Sequence, residues 1–424
     1  MRRTARVSVA ALAVTTLALT ACGRSDDTGT GQPESTPISG GPATGTVTVW
    51  AMGTEGEALG DFVQEFTAQN PDVDVQVTAV PWDAAHDKIA TAIAAGEVPD
   101  VSMIGTTWMG EFAATGALDA TPDGVVDPEA FFPGAWDSTQ VGGTSYGVPW
   151  YVETRLLYVN TALAEQAGVS PTPTTWEELT DLAKGLQQAG AEWGINLQPG
   201  ETGSWQTFLP FAWQAGAQVT DDDGTQITLD TPEMVKALEY YQSFFTDGVA
   251  PTELPEGDLE PGFVDGRIGA FVSGPWHIGL LEETGGAGFM DGVTLAPMPV
   301  DAQPASFIGG SNLAVFSESQ NRDAAWKLVQ WLSEPDVQAE WYRTTSDLPA
   351  VESSWDQGDL ADDPRLAVFG EQMDTAVAPP SIPNWEQIAT VIDTELEKVT
   401  KSGEDAQQAA TTMQQQAEQI GTGL

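Results

Sequence analysis

Between Thr46 and Ile104 the hydrophobic pattern switches period four times, and that alternation limits the folds open to the chain. Thr46–Trp50 (TVTVW) reads as a short strand. Leu59, Phe62, Val63 and Phe66 recur at helical spacing within Glu57–Asn70, and Asn70-Pro71-Asp72 stops that helix. Val73–Val80 alternates as a strand, Asp83–Ala95 is a second helix, and Asp100–Ile104 is a third strand after Gly96 and Pro99. Strand–helix–strand–helix–strand predicts a parallel sheet with crossover helices, an α/β lobe. Ligands of such sheets bind beyond the carboxyl ends of the strands, which singles out Met52–Glu57, Pro81–His86 and Gly105–Gly110.

A second constraint is Tyr146–Asn160 (YGVPWYVETRLLYVN), an apolar run interrupted only by Glu153 and Arg155. A strand buried on both faces is apolar throughout, and a half-exposed one alternates. Charge confined to the middle predicts a hinge strand that leaves one lobe and enters another, with Glu153 in the cleft. At 424 residues two domains are the natural expectation. The remainder carries helical signals at Pro171–Glu178 (a capping box around Thr174, Thr175, Glu177 and Glu178), Trp205–Ala215, Met234–Thr246, Arg322–Leu332, Trp385–Lys398 and Asp405–Ile420. Strands are predicted near Gly262–Gly274, Val293–Pro299 and Ile308–Phe316, and Asp221–Gly224 reads as a hairpin turn.

The N-terminus carries its own signal. MRRTAR is basic, VSVAALAVTTLAL is apolar but too short to span a bilayer, and the chain's single cysteine, Cys22, closes the stretch. Residues 1–21 are expected to be a signal peptide. The stretch looks like a bacterial lipobox, which implies that Cys22 is lipid-modified and becomes the mature N-terminus. Residues 22–45, rich in Gly, Ser, Thr, Pro and Asp, are then a flexible tether. The only expected membrane contact is this lipid, on the outer face of the cell membrane.

Charge and residue inventory exclude several function classes. With 62 acids against 15 bases, the net charge of −47 repels nucleic acid and anionic membrane. Two histidines and no cysteine after Cys22 rule out a Cys/His metal site and leave few ways to build a Ser-His-Asp triad. No phosphate-binding, G-x-S-x-G or H-E-x-x-H string is present, so neither catalysis, cofactor nor metal is expected. What stands out is 15 tryptophans, several at element ends or in loops. Stacked aromatics with polar side chains suit the apolar faces and hydroxyl rims of sugars, although any single tryptophan is more often core.

In order along the chain, VTVW, FTAQNPDVDVQV, IATAIAAGEVPDVSM, GALDA, YGVPWYVETRLLYVN, PTTWEEL, GFVDGRIGAFVSGPW, LAPMP, Gly309-Gly310 and AAWKLVQWLSEPDVQ occur. This series resembles the extracellular solute-binding proteins of ABC importers, in the sugar-binding group typified by maltose-binding protein, over about Thr46 to Ile420. The resemblance implies a two-lobed periplasmic-binding-protein fold (type II) with three hinge crossings, near Trp150–Arg155, Leu295–Pro299 and Asp347–Val351. One α/β lobe is then residues 46–152 plus 297–346, the other 156–294 plus 351–424. It also implies a non-enzymatic monomer that closes on a neutral mono- or oligosaccharide and delivers it to a membrane permease.

Residue by residue, the resemblance makes Glu153 a hinge carboxylate for sugar hydroxyls and Trp276, in GPW, a stacking tryptophan. Trp205 falls where another stacking aromatic belongs. Thr54 and Glu55 fall in the first ligand loop, where Thr replaces an acid and Glu a base. Thr107 and Trp108 replace an Asp–Arg pair of maltose-binding protein, which argues for a different sugar. Trp82, His86, Trp385, Arg343 and Gly310 complete the expected set. Arg155 either orients Glu153 or bridges the lobes. The rival readings are a binder of a polyamine, glycerol-phosphate or peptide, a secreted carbohydrate-active enzyme, and an adhesion module. The acidic cleft loops argue against phosphate.

Overall fold

The computed structural model describes residues 36–255 and 257–424. The signal peptide, Cys22 and tether residues 22–35 lie outside the described residues. The described end of the tether is not free, as composition predicts, but rests on the fold. Ala43 is buried and donates its N–H to Asn70 Oδ1 at 2.9 Å, and Ser39 N–H reaches Asp323 Oδ2 at 3.1 Å. Thr36 C=O accepts from Arg322 Nη2 at 2.7 Å. Its backbone finds polar partners that composition does not reveal.

The strands of the two central sheets are β1 (Gly45–Met52), β2 (Val73–Val80), β3 (Val101–Gly105), β4 (Val148–Thr154), β5 (Leu156–Asn160), β6 (Ala270–Ser273), β7 (Val293–Ala296), β8 (Ser306–Val315), β9 (Leu348–Pro349) and β10 (Ala376–Val377). The larger sheet has the order β9-β4-β8-β3-β1-β2, with β10 beside β8. β1 is parallel to β2 and β3, as the alternating pattern predicts. The later strand β8 runs antiparallel between β3 and β4, which makes the sheet mixed. In the smaller sheet β5 lies between β6 and β7, antiparallel to both.

The helices after β1 and β2 start earlier than the periodicity predicts. Gly53 takes φ +54°, and helix Gly53–Phe62 begins there, so Thr54 and Glu55 lie in a helical first turn rather than a loop. Trp82 likewise opens helix Trp82–Ala95. β3 runs into a 3-10 turn, Thr106–Trp108, and helix Met109–Ala114. The capping box is present: Thr175 Oγ1 accepts from Glu178 N–H at 3.2 Å, and Glu178 Oε2 takes Thr174 N–H at 2.7 Å. Residues Thr220 and Ile227 form a single bridge around Asp221–Gly224 instead of a full hairpin of strands.

β5 shows why its sequence is uninterrupted. Leu156 and Tyr158 enter a core cluster with Phe263 and Phe271 on one face, and Leu157 and Val159 enter another with Phe208 and Trp385 on the other. All four are fully buried, so alternation has nothing polar to show. β4 ends at Thr154 in the larger sheet and β5 begins at Leu156 in the smaller one. One residue, Arg155, joins them. The change is pinned by Thr154 Oγ1, which donates to Phe307 C=O at 2.7 Å, and Ser306 Oγ, which donates to Arg155 C=O at 2.9 Å.

Candidate functional site

Two cavities, of about 430 and 450 Å³, meet at this junction and share Glu153 and Gln206 in their walls. Both fall in the range expected of small-ligand sites. A larger cavity, about 720 Å³, lies between Pro133–Gly143, Trp213–Gly224 and Ala376–Ile382, and none of the expected site residues lines it.

Glu153 is placed by the pairing of β4 with β8, opposite Gly309. A Cβ on Gly309 would stand 2.8 Å from Glu153 Oε1, and one on Gly310 (φ +117°) would stand 2.2 Å from Tyr151 C=O. The glycine pair therefore lets β8 pass close to the carboxylate and leaves it room. Arg155 Nη1 sits 3.4 Å from Glu153 Oε1, and Nη2 donates to Gln206 Oε1. The guanidinium also lies 4.8 Å from the Trp276 ring centre and 4.9 Å from that of Phe307. Nη1 is buried and meets Glu153 as an ion pair outside hydrogen-bond geometry.

The first cavity is walled by Trp82, Trp108, Tyr151 and Trp205, with Asp393 at its rim. Trp82 and Trp108 meet edge-on at 5.7 Å. Trp205 packs edge-on against Phe307 at 5.4 Å and Trp385 at 5.0 Å. Its loop is held by Asp393, whose two oxygens accept the N–H groups of Gly203 and Trp205, each at 2.7 Å. Burial pushes the Asp393 carboxyl up to about 6, although those two bonds pull the other way. Behind Tyr151 stand Glu55 and Asp347. Burial, and then the Glu55 charge, raise Asp347 to about 8, and Trp341 Nε1 donates to it at 3.1 Å. The Tyr151 hydroxyl, buried beside Glu55, Asp347 and Glu153, is raised well above its usual value.

The second cavity is walled by Arg155, Trp276, His277 and the amides of Asn196, Gln198 and Gln206. Trp276 is 42% exposed. A Cβ on Gly274 would come 2.0 Å from its ring, so only glycine allows the indole to lie where it does. His277 Nδ1 pairs with Ser273 Oγ at 2.7 Å, and Nε2 faces Glu260 at 3.2 Å. Burial holds its pKa down at about 4 despite that glutamate, so the imidazole is neutral.

Of the expected residues, Glu153, Trp276, Trp205, Thr107, Trp108, Trp82 and Gly310 line these cavities. The others do not. Trp385 is fully buried behind Trp205 and supports it from the core. His86 stands behind Trp108, ring centres 5.4 Å apart, with Nε2 2.9 Å from Glu111. Glu55 is buried behind the first cavity, and Thr54 bonds to it at 3.1 Å. Arg343 pairs with Glu340 at 3.1 Å on its own helix. These five side chains point into the core, onto a neighbouring side chain or along their own helix rather than into either cavity.

Gln206, Asn196, Asp393 and His277 were not singled out as ligands by the sequence. Gln206 and His277 each follow an expected tryptophan, a signal that was available. Asp393 is one acid among 62 on an amphipathic helix and carried none. Among the described residues, no three or more His, Cys, Asp and Glu converge to hold a metal ion.

The chain matches the family of bacterial extracellular solute-binding proteins over residues 51–339. Among solved structures, the sugar-binding protein MalE of Xanthomonas citri superposes with a TM-score of 0.83 at 34% identity, covering 89% of this chain and 97% of that one. The maltotriose-binding protein of Pyrococcus abyssi is 27% identical over 82% of this chain and 77% of its own length. The diacetylchitobiose-binding protein DasA of Streptomyces coelicolor is 26% identical over 81% of each.

Proposed function

The chain belongs to the bacterial extracellular solute-binding proteins, whose type II periplasmic-binding fold it shares, and from that premise we propose that it captures a mono- or oligosaccharide. The relatives named above are binding proteins rather than enzymes. The sugar occupies the two joined cavities, with Glu153 and Gln206 accepting and donating hydroxyl bonds where they meet, and Trp205 and Trp276 offering ring faces on either side. Thr107, Trp108, Trp82 and Gly310 complete the contacts. The observation that carries the reading is the pair of tryptophan-walled cavities that share Glu153 and Gln206. Aromatic faces with a carboxylate and an amide between them suit the apolar faces and hydroxyls of a sugar.

The two lobes, 46–152 plus 297–346 and 156–294 plus 351–424, close on the ligand through Arg155, the segment after β7 and the residues around Asp347. Contacts made only in the closed form stabilise that form, which a permease then recognises. A lipid on Cys22 holds the protein at the outer face of the membrane. A thermal-shift screen against mono- and oligosaccharides tests the function. A ligand at a hundredfold excess over its Kd adds about 2.7 kcal/mol of stability, so a fitting sugar raises Tm measurably. If no saccharide raises Tm, the reading fails.

A further inference from the structure

The two cavities differ in charge. Among the described residues no Lys, Arg or His lines the first, whereas Glu153, Glu386 and Asp393 do. Arg155 offsets Glu153. Asp393 is only 6% exposed, and the partners of its two oxygens are neutral backbone N–H groups. The charge that acts on it is that of Glu386, and it is repulsive. Glu55, behind Tyr151, adds to the same negative field. A carboxylate removed from water without a counter-ion is costly, and a ligand that supplies the missing cation recovers that cost. The aromatic walls act in the same direction. Trp82 is exposed and meets Trp108 at an angle of 63°, so indole faces as well as carboxylates border the space.

The second cavity is less acidic. Its guanidinium, Arg155, pairs with Glu153 and donates to Gln206, Glu201 is the other carboxylate in its wall, and His277 beside it is neutral. Its amides and guanidinium suit hydroxyl groups.

We propose that the ligand is an amino sugar, or a short oligosaccharide containing one, with its protonated amine in the first cavity against Glu386 and Asp393 and its hydroxyls in the second against Arg155 and Gln206. This rests on the saccharide reading above and departs from the neutral sugar that sequence resemblance implies.

The test is calorimetric titration of the mature protein at about pH 7. The probes are glucosamine, galactosamine and the glucosamine disaccharide, each beside its N-acetylated form and its neutral parent, together with spermidine. The expected result is that an amine binds at least tenfold tighter than its N-acetylated and neutral counterparts in low salt. The gap narrows as salt screens the pair, and Glu386→Gln, folded by its melting curve, shrinks it at least fivefold. Equal or tighter binding of the N-acetylated or neutral sugar overturns the amine while leaving the saccharide reading standing. Binding of spermidine alone overturns the saccharide reading and the amino sugar with it, and silence from every probe overturns both.

Discussion

Trp205 and Trp276 stand in neighbouring cavities, yet one is 4% exposed and the other 42%. Trp205 is wedged edge-on between Phe307 and Trp385, and its loop is tied by two backbone bonds to Asp393. Trp108, on the facing wall, is braced by His86 and Phe112. Trp276 instead rests on Gly274, His277 and the Arg155 guanidinium at the start of a helix, with much of its ring open. The first cavity is therefore a fixed surface whose binding residues are also core residues. The second keeps a wall whose free face waits for something to cover it, so binding and stability separate there.

The largest expected effect lies in the fixed cavity. Trp205→Ala removes a buried ring and leaves a void, at a cost of about 3–5 kcal/mol, and chemical denaturation should show the loss even without ligand. Near-wild-type stability would mean that the wall is not core after all. Arg155→Ala comes next, towards the lower end of the roughly 3–5 kcal/mol seen when one member of a buried pair is removed, because Glu153 keeps some contact with solvent. It should also abolish ligand binding, and retention of both properties breaks the account of the junction.

Glu153→Gln sharpens the comparison at the point where the cavities meet. A hydrogen bond to a charged acceptor contributes about 1.5–3 kcal/mol, so affinity should fall roughly tenfold to a hundredfold, while stability falls less than in Arg155→Ala because the Gln oxygen can still accept from the guanidinium. A collapse of stability with affinity intact would make it structural.

The smallest effect concerns pH. Asp347, raised to about 8, holds in the folded state a proton that the unfolded chain releases, so its contribution to stability rises as pH falls from 8.5. Asp393, raised to about 6, adds in the same direction lower down. His277, lowered to about 4, opposes below about 6.5, where the unfolded histidine takes up its proton. The interval from about pH 8.5 to 7.5, above both of these titrations, thus reports chiefly Asp347. Asp347→Asn should flatten the gain in Tm across it, and an unchanged slope contradicts the assignment.

What the sequence revealed follows the same division. The parallel order of β1, β2 and β3 was legible because their helices and strands have distinct periods. The switch at Arg155 was legible because charge interrupts an apolar run at a single place. The antiparallel β8 was not, since β8 meets β4 more than 150 residues away and no local period encodes its neighbour. Trp276 was expected from its GPW motif and Trp205 from its place in the series, and both line the cavities. Trp385 was misplaced as a cleft residue because the sequence does not say which way a tryptophan at a helix start turns, and this one turns into the core. Asp393 acts through two backbone N–H groups 188 and 190 residues away, a contact only the fold creates.

The central claim is that a saccharide lies across the junction and covers the free face of Trp276. The direct measurement is calorimetric titration of a saccharide that raises the wild-type Tm into the wild type and into Trp276→Ala. The account predicts one site per chain in the wild type and affinity at least tenfold weaker in the variant, with unliganded melting temperatures nearly equal. Equal affinity in the two proteins would contradict it.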